Sequence, residues 1–276
     1  MSEPTPNKPS RRSGSASSKD ITPVLKGWDY EPGTINVRKV SGSDGSPKLQ
    51  LRLDLGLLQM ELTGRPDGRR PHGHESLLDY FEKKLNDHIA RAGGDSGFHL
   101  SGAQCQSLRE EAAMYYHRYL SLFVLEEFPG VVRDTDRNLR VLDLCRKFGQ
   151  SEADRVVMEQ YRPYITMMNS RAKASILVSL EKFPEALQAV RDGLRSIKRF
   201  FRRFGQAEAY RHANEVQVLK RFARDIKKKL PVDPMVLLQK KLDKAVATER
   251  YEDAAKLRDE IEVLKASGNA PSESGE

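Results

Sequence analysis

The sequence predicts a mainly α protein with three parts: an N-terminal β-hairpin element, a stack of helix pairs and a C-terminal helical hairpin. Three observations lead there. Leu49, Leu51, Leu53 and Leu55 alternate with Gln50, Arg52 and Asp54, the period of a half-buried strand. From residue 75 onward apolar residues recur at steps of three and four, the period of a helix. Near the end, Leu238, Leu242 and Ala245 form one such series and Tyr251, Ala254, Leu257, Ile261 and Leu264 another, parted by a short polar break.

The elements follow in order. Residues 1–26 are rich in Ser, Pro, Lys and Arg with almost nothing to bury, and residues 266–276 are Ser, Gly, Glu and Pro. Both read as disordered tails. Trp28, the single tryptophan, is expected to anchor the chain where folding begins. Residues 27–74 form the β element and a loop. Ile35 to Val40 alternates, Ser-Gly-Ser-Asp-Gly-Ser-Pro turns the chain, and the leucine strand returns, with Gly56 read as a bulge. Two strands alone are marginal, so the leucine face is expected to rest on helices.

Residues 75–230 read as the helical domain. One helix runs from Glu75 to Ala92, stopped by Gly93-Gly94. Ser101 with Gln104 marks a capping box before a helix over 102–127. Ser151 starts another, which Pro163 is expected to end or kink, and helices continue to 229 with a break near Gly205. An internal repeat lies here: Leu125-Glu126-Glu127-Phe128-Pro129 recurs as Leu180-Glu181-Lys182-Phe183-Pro184. In each copy a helix is expected to end at the aromatic and a new one to begin at the proline. The second copy resembles a tetratricopeptide unit at Ala174, Leu177, Phe183, Ala186, Val190 and Gly193. The tryptophan usual in that repeat is absent.

After a joint at residues 230–234, Asp233-Pro234 signals a helix start. Residues 234–265 then read as two short amphipathic helices, close together because Ala254 and Ala255 are small. The run Tyr-Glu-Asp-Ala-Ala-Lys-Leu-Arg-Asp-Glu-Ile carries a resemblance, together with Leu242, Ala245, Glu249 and Leu264. This stretch resembles the UVR motif (UvrB/UvrC motif), the hairpin shared by two subunits of the bacterial excision nuclease, with Tyr251 where an aromatic is usual. The resemblance covers roughly a tenth of the chain and implies a protein–protein contact without chemistry. It puts partner binding, or self-pairing, on Leu238, Leu242, Tyr251, Ala254, Leu257 and Ile261. Arg258 and Asp259 are then expected to set orientation by charge pairing.

Composition narrows the classes. Of the 276 residues 38% are hydrophobic, and the net charge is +8. Residues 191–229 hold thirteen Lys and Arg against four Asp and Glu, so a basic stripe accounts for the whole surplus. Arg195, Lys198, Arg199, Arg202, Arg203, Lys220 and Arg221 are its candidates for nonspecific nucleic-acid contact, beside Phe200, Phe201 and Phe204. Cys105 and Cys145 are expected as free core thiols. No signal peptide or membrane-length apolar run appears, so a soluble, cytoplasmic protein is expected, and the UVR resemblance implies a bacterial one.

The loop at 63–74 crowds Asp67, Arg69, Arg70, His72, His74 and Glu75 together, the raw material of a metal or phosphate site. Asp54 and Glu61, acidic residues of the predicted strand region, could pair as carboxylates for metal-assisted hydrolysis, but their odd spacing is expected to put them on opposite sides of a regular strand, unless a bulge at Gly56 intervenes. There is no phosphate-cradling glycine loop, dinucleotide fingerprint or nucleophile elbow. The tyrosines at 115, 116 and 119 with Phe123 read as packing. The sequence therefore points to a non-enzymatic adaptor without catalytic residues, metal or cofactor. Two alternatives remain: a DNA-binding accessory of nucleotide excision repair, and a metal- or phosphate-dependent enzyme built on the 63–74 loop.

Overall fold

A computed structural model describes residues 20–230 and 234–268. The tails expected over 1–26 and 266–276 lie mostly outside the described residues, as does the Asp233 cap. The described part is mainly helical, and it divides into two compact units, up to Lys173 and from Ala174.

The first unit begins with one helical turn, α1 (Thr22–Leu25), and a three-stranded antiparallel sheet in the order β1 (Val37–Ser41), β2 (Pro47–Arg52), β3 (Leu57–Glu61). The bulge expected at Gly56 is instead a turn. Leu53 and Gly56 bond each other's backbones, and Arg52 Nη1 donates to the Gly56 carbonyl at 2.8 Å. The leucine strand thus stops at Arg52, a third strand returns along β2, and Leu55 stands 89% exposed at the turn. Leu49 and Leu51 are buried opposite Met60 and Leu58, and β2 lies against the helices through this face. On the other face Gln50 accepts from Arg38 and donates to Gln59, both at 2.9 Å. Trp28 does anchor this end: its indole donates to Asn36 at 2.6 Å and its ring lies under the Arg38 guanidinium.

A 3₁₀ turn (Pro71–Gly73) leads into α2 (Leu77–Ala92), capped by Ser76 and stopped by Gly93 at φ +75°. Then come α3 (Gly102–Val124), with the expected capping box of Ser101 and Gln104, and α4 (Phe128–Phe148). Helices α3 and α4 form the main antiparallel pair of this unit. Short α5 (Glu152–Val156) and a 3₁₀ turn (Glu159–Tyr161) precede α6 (Arg162–Ser179), so Pro163 starts a helix instead of ending one. Cys105 and Cys145 are free, neighbouring core thiols, and burial pushes both above the ordinary thiol range.

The second unit contains α7 (Phe183–Arg203), α8 (Ala209–His212), α9 (Asn214–Lys229), α10 (Pro234–Ala247) and α11 (Tyr251–Gly268). Helix α7 packs on α9, and α10 on α11. Ala174, Ala186, Val190 and Gly193 of the repeat are buried, and Leu177 and Phe183 half-buried.

The repeat is real at its turns, and it extends to a third turn, at Glu249. Glu126, Glu181 and Glu249 all adopt left-handed backbone, at φ 58°, 57° and 57°. In each turn the next residue's N–H donates to the carbonyl five back: Glu127 to Leu122, Lys182 to Leu177 and Arg250 to Ala245, at 2.9, 2.8 and 2.8 Å. The glutamate's own N–H donates three back, to Phe123, Val178 and Val246. That pair of bonds is the Schellman closure, which satisfies the orphan carbonyls of the first helix. An aromatic then opens the next helix in every case: Phe128, Phe183 or Tyr251.

Candidate docking hairpin and basic helix pair

The C-terminal hairpin is assembled from small residues at its seam. Ala245 of α10 and Ala254 and Ile261 of α11 are buried, Ala254 at 8% exposure. On α11 these two residues fall one heptad apart, so the helices touch along a narrow line. Ala255, the other small residue, points outward.

The eight residues expected to bind a partner therefore split. Ala254 and Ile261 spend their surface inside the hairpin. Leu238, Leu242 and Leu257 flank the seam, half-buried. Tyr251 is 67% exposed, and Arg258 and Asp259 are exposed and lie 3.8 Å apart as an ion pair. Sequence reasoning missed Leu237, Val246 and Val263, which are exposed apolar side chains of the same two helices. Periodicity names an apolar face but not the neighbour that covers it. Within its unit, neither α10 nor α11 shares an extended packing face with another described helix.

The basic stripe falls on α7 and α9. The two helices pack on each other, and Ala186, Val190 and Ile197 of α7 and Val216, Leu219 and Ile226 of α9 are buried. Arg195, Lys198, Arg199, Arg202, Arg203, Lys220 and Arg221 are all exposed. Arg195 pairs with Asp192, whereas the other six have no carboxylate partner among the described residues. Phe200 meets Phe201 edge-on and Phe204 at a tilt, all three half-buried, so they are mainly packing.

The 63–74 loop is fastened down as structure. The Arg118 guanidinium donates to the carbonyls of Glu61 and Gly64 at 3.0 and 2.8 Å, and Arg133 donates to that of Leu62. Arg65 lies 3.0 Å from Asp67 and 3.6 Å from Glu111. His72 stacks on Tyr80 with ring centres 4.2 Å apart, and His74 tilts against the same ring. Asp54 sits in the β2–β3 turn while Glu61 pairs with Lys48 at 2.6 Å, so these two carboxylates serve different contacts. Among the described residues no group of three or more His, Cys, Asp or Glu is placed to hold a metal.

What fastens the loop is an ion network that the sequence reading did not find. Arg118 grips Asp134 through two bonds of 2.7 and 2.8 Å, both groups fully buried. Buried Glu111 takes Arg137 and accepts from the Leu77 N–H. Tyr115 lies between Arg118 and Arg137, its ring centre 4.8 and 4.1 Å from the two guanidinium carbons. Its phenol is pushed up to about 12 by burial. One signal was available. Glu111, Tyr115, Arg118 and Leu122 share one heptad-spaced stripe of α3, so two charges occupy core positions. Beside it, Tyr116, Tyr119, Tyr161 and Tyr164 line a cavity of about 460 Å³. Tyr116 meets Tyr119 edge-on.

Compared with known proteins, residues 236–267 match the family model described as UvrB/uvrC motif. The matched stretch coincides with α10 and α11. No curated protein and no solved structure matches the chain. No described helix is long and apolar enough to cross a membrane.

Proposed function

We propose that this chain is a non-enzymatic cytoplasmic adaptor whose C-terminal hairpin docks a protein partner. One observation carries the reading: the matched motif closes on itself through Ala245, Ala254 and Ile261, yet leaves Tyr251, Leu237, Val246 and Val263 exposed. A hairpin of fourteen and eighteen residues has too little core to be an end in itself. Its exposed aromatic and aliphatic edges are the material of an interface anchor. The hairpin is also charge-balanced, with seven Lys and Arg against seven Asp and Glu over residues 234–268. Docking therefore rests on burial, at about 25 cal/mol per Å² before association costs, and Arg258 and Asp259 supply orientation at the edge.

The test is affinity capture from the native cell under nuclease treatment. It uses the full chain, a truncation before Met235 and the Tyr251→Asp variant. Both altered chains are expected to lose a protein that the full chain retains, with Tyr251→Asp weakening it at least about 30-fold if Tyr251 is an anchor. Retention by all three overturns the proposal. The identity of the retained protein refines the role: excision-nuclease subunits place the adaptor in repair, and a protease or kinase system places it there instead.

A further inference from the structure

We infer that the α7–α9 helix pair is a docking face for the phosphate backbone of nucleic acid, read without base specificity. This goes beyond the hairpin's role and stands without it.

Helix C-termini attract cations through the helix dipole, and that accounts for Arg202 and Arg203 in the last turn of α7 and Lys227, Lys228 and Lys229 in that of α9. It does not account for Lys198 and Arg199, a full turn earlier, nor for Lys220, Arg221 and Arg224 in the body of α9. All five are exposed and have no carboxylate partner among the described residues. Like charges this dense repel one another and weaken the free protein, so an external polyanion is their natural complement. At 21 and 16 residues the helices are about 31 and 24 Å long; Lys198 and Arg199 lie within about 8 Å of the end of α7 and Lys220, Arg221 and Arg224 within about 15 Å of the start of α9, so antiparallel packing gathers the five cations into a cluster roughly 10 Å long.

The class of polyanion follows from what the face lacks. Across α7, α8 and α9 no large apolar side chain is among the exposed ones. A protein interface needs aromatic or aliphatic anchors at its centre, and here there are none. Affinity must come from charge alone, which is how phosphate backbones are held. Duplex DNA carries one charge per ~1.7 Å, about twice the density of an extended acidic polypeptide. The ring cluster of Phe200, Phe201 and Phe204 is half-buried, so base stacking contributes little, and duplex is expected to bind more tightly than single strand.

The experiment is fluorescence anisotropy of the full chain with a labelled 20-bp duplex, a matching single strand and charge-matched polyglutamate as competitor. Five phosphate contacts predict a log–log salt slope near −4.5 on duplex, about a 500-fold loss of affinity between 50 and 200 mM salt. The triple variant Arg199→Ala/Arg221→Ala/Arg224→Ala is expected to bind with a slope shallower by about 2.7. Arg69→Ala/Arg70→Ala/Arg91→Ala changes the net charge equally, and is expected to leave the slope unchanged. Equal losses from both triple variants, no duplex binding at 50 mM salt, or displacement by polyglutamate at equal charge concentration would overturn the inference. The last result would give the face to an acidic protein segment. Tyr251→Asp is expected to bind duplex as the unaltered chain does, which separates this inference from the hairpin reading.

Discussion

The α3–α4 pair and the α10–α11 hairpin turn the chain in the same way and then part company. Both close on a left-handed glutamate, Glu126 or Glu249, with the same two backbone bonds. Beyond the turn, α3 and α4 bury leucines, tyrosines and a whole network of charges, whereas α10 and α11 bury two alanines and an isoleucine. A shared turn fixes that two helices run antiparallel, and the residues at the seam decide whether the pair is a core or a contact surface. Large side chains and paired ions commit α3–α4 to the interior. Small ones let α10 and α11 meet along a line and leave their edges for another molecule.

The largest effect is expected at the ions. Asp134→Ala strands the Arg118 guanidinium in the core and is expected to cost about 3–5 kcal/mol, read by denaturant unfolding of the first unit. A cost below ~1 kcal/mol means that water reaches Arg118 and that the pair is less of a core than described.

Ala254→Leu is the matching change in the hairpin. Overpacking the seam is expected to cost about 1–3 kcal/mol, visible as lost amide protection over residues 234–268 with the α3–α4 unfolding midpoint unchanged. Protection that rises instead indicates a seam with room to spare.

A smaller gain is expected from the shared turn. Left-handed backbone costs a non-glycine residue about 1–2 kcal/mol, which glycine avoids. Glu126→Gly, Glu181→Gly and Glu249→Gly are each expected to stabilise by up to about 1 kcal/mol in thermal melts. Opposite signs among the three would show that the turns differ in more than sequence.

The smallest effect is a pH dependence confined to the first region. Burial holds His117 of α3 below the ordinary histidine value. A lowered folded pKa means that the unfolded chain takes up the proton first. His117 therefore adds stability above its unfolded pKa of about 6.5, and this is lost as pH falls. Unfolding midpoints measured from pH 7.5 to 5 should decline less steeply in His117→Gln.

Much of the molecule is legible in the residues because periodicity is a local property. The leucine alternation, the capping box at Ser101 and the hairpin over 234–265 can all be read from spacing. Gly56 is ambiguous, because a glycine within a strand suits a bulge or a turn equally. Its outcome depends on bonds from Arg52, four residues earlier, and on a third strand finding β2. The ion network is hidden for another reason: charges are ordinarily solvated, and Arg118 is identified as core only once Asp134 faces it. In the hairpin, the apolar positions are evident, but their division between seam and surface needs the partner helix. Ala254 and Ile261 thus turn inward while Val246 and Val263 face out.

The central claim is that the hairpin's exposed edge at Tyr251 meets a protein, and photocrosslinking measures that contact in place. A photoreactive phenylalanine analogue at position 251 of the full chain, compared with the same group at exposed Val156, is irradiated in the native cell. A discrete protein adduct is expected at 251 that is absent at 156 and survives nuclease treatment. Identical patterns at the two positions, or adducts with nucleic acid alone, would contradict it.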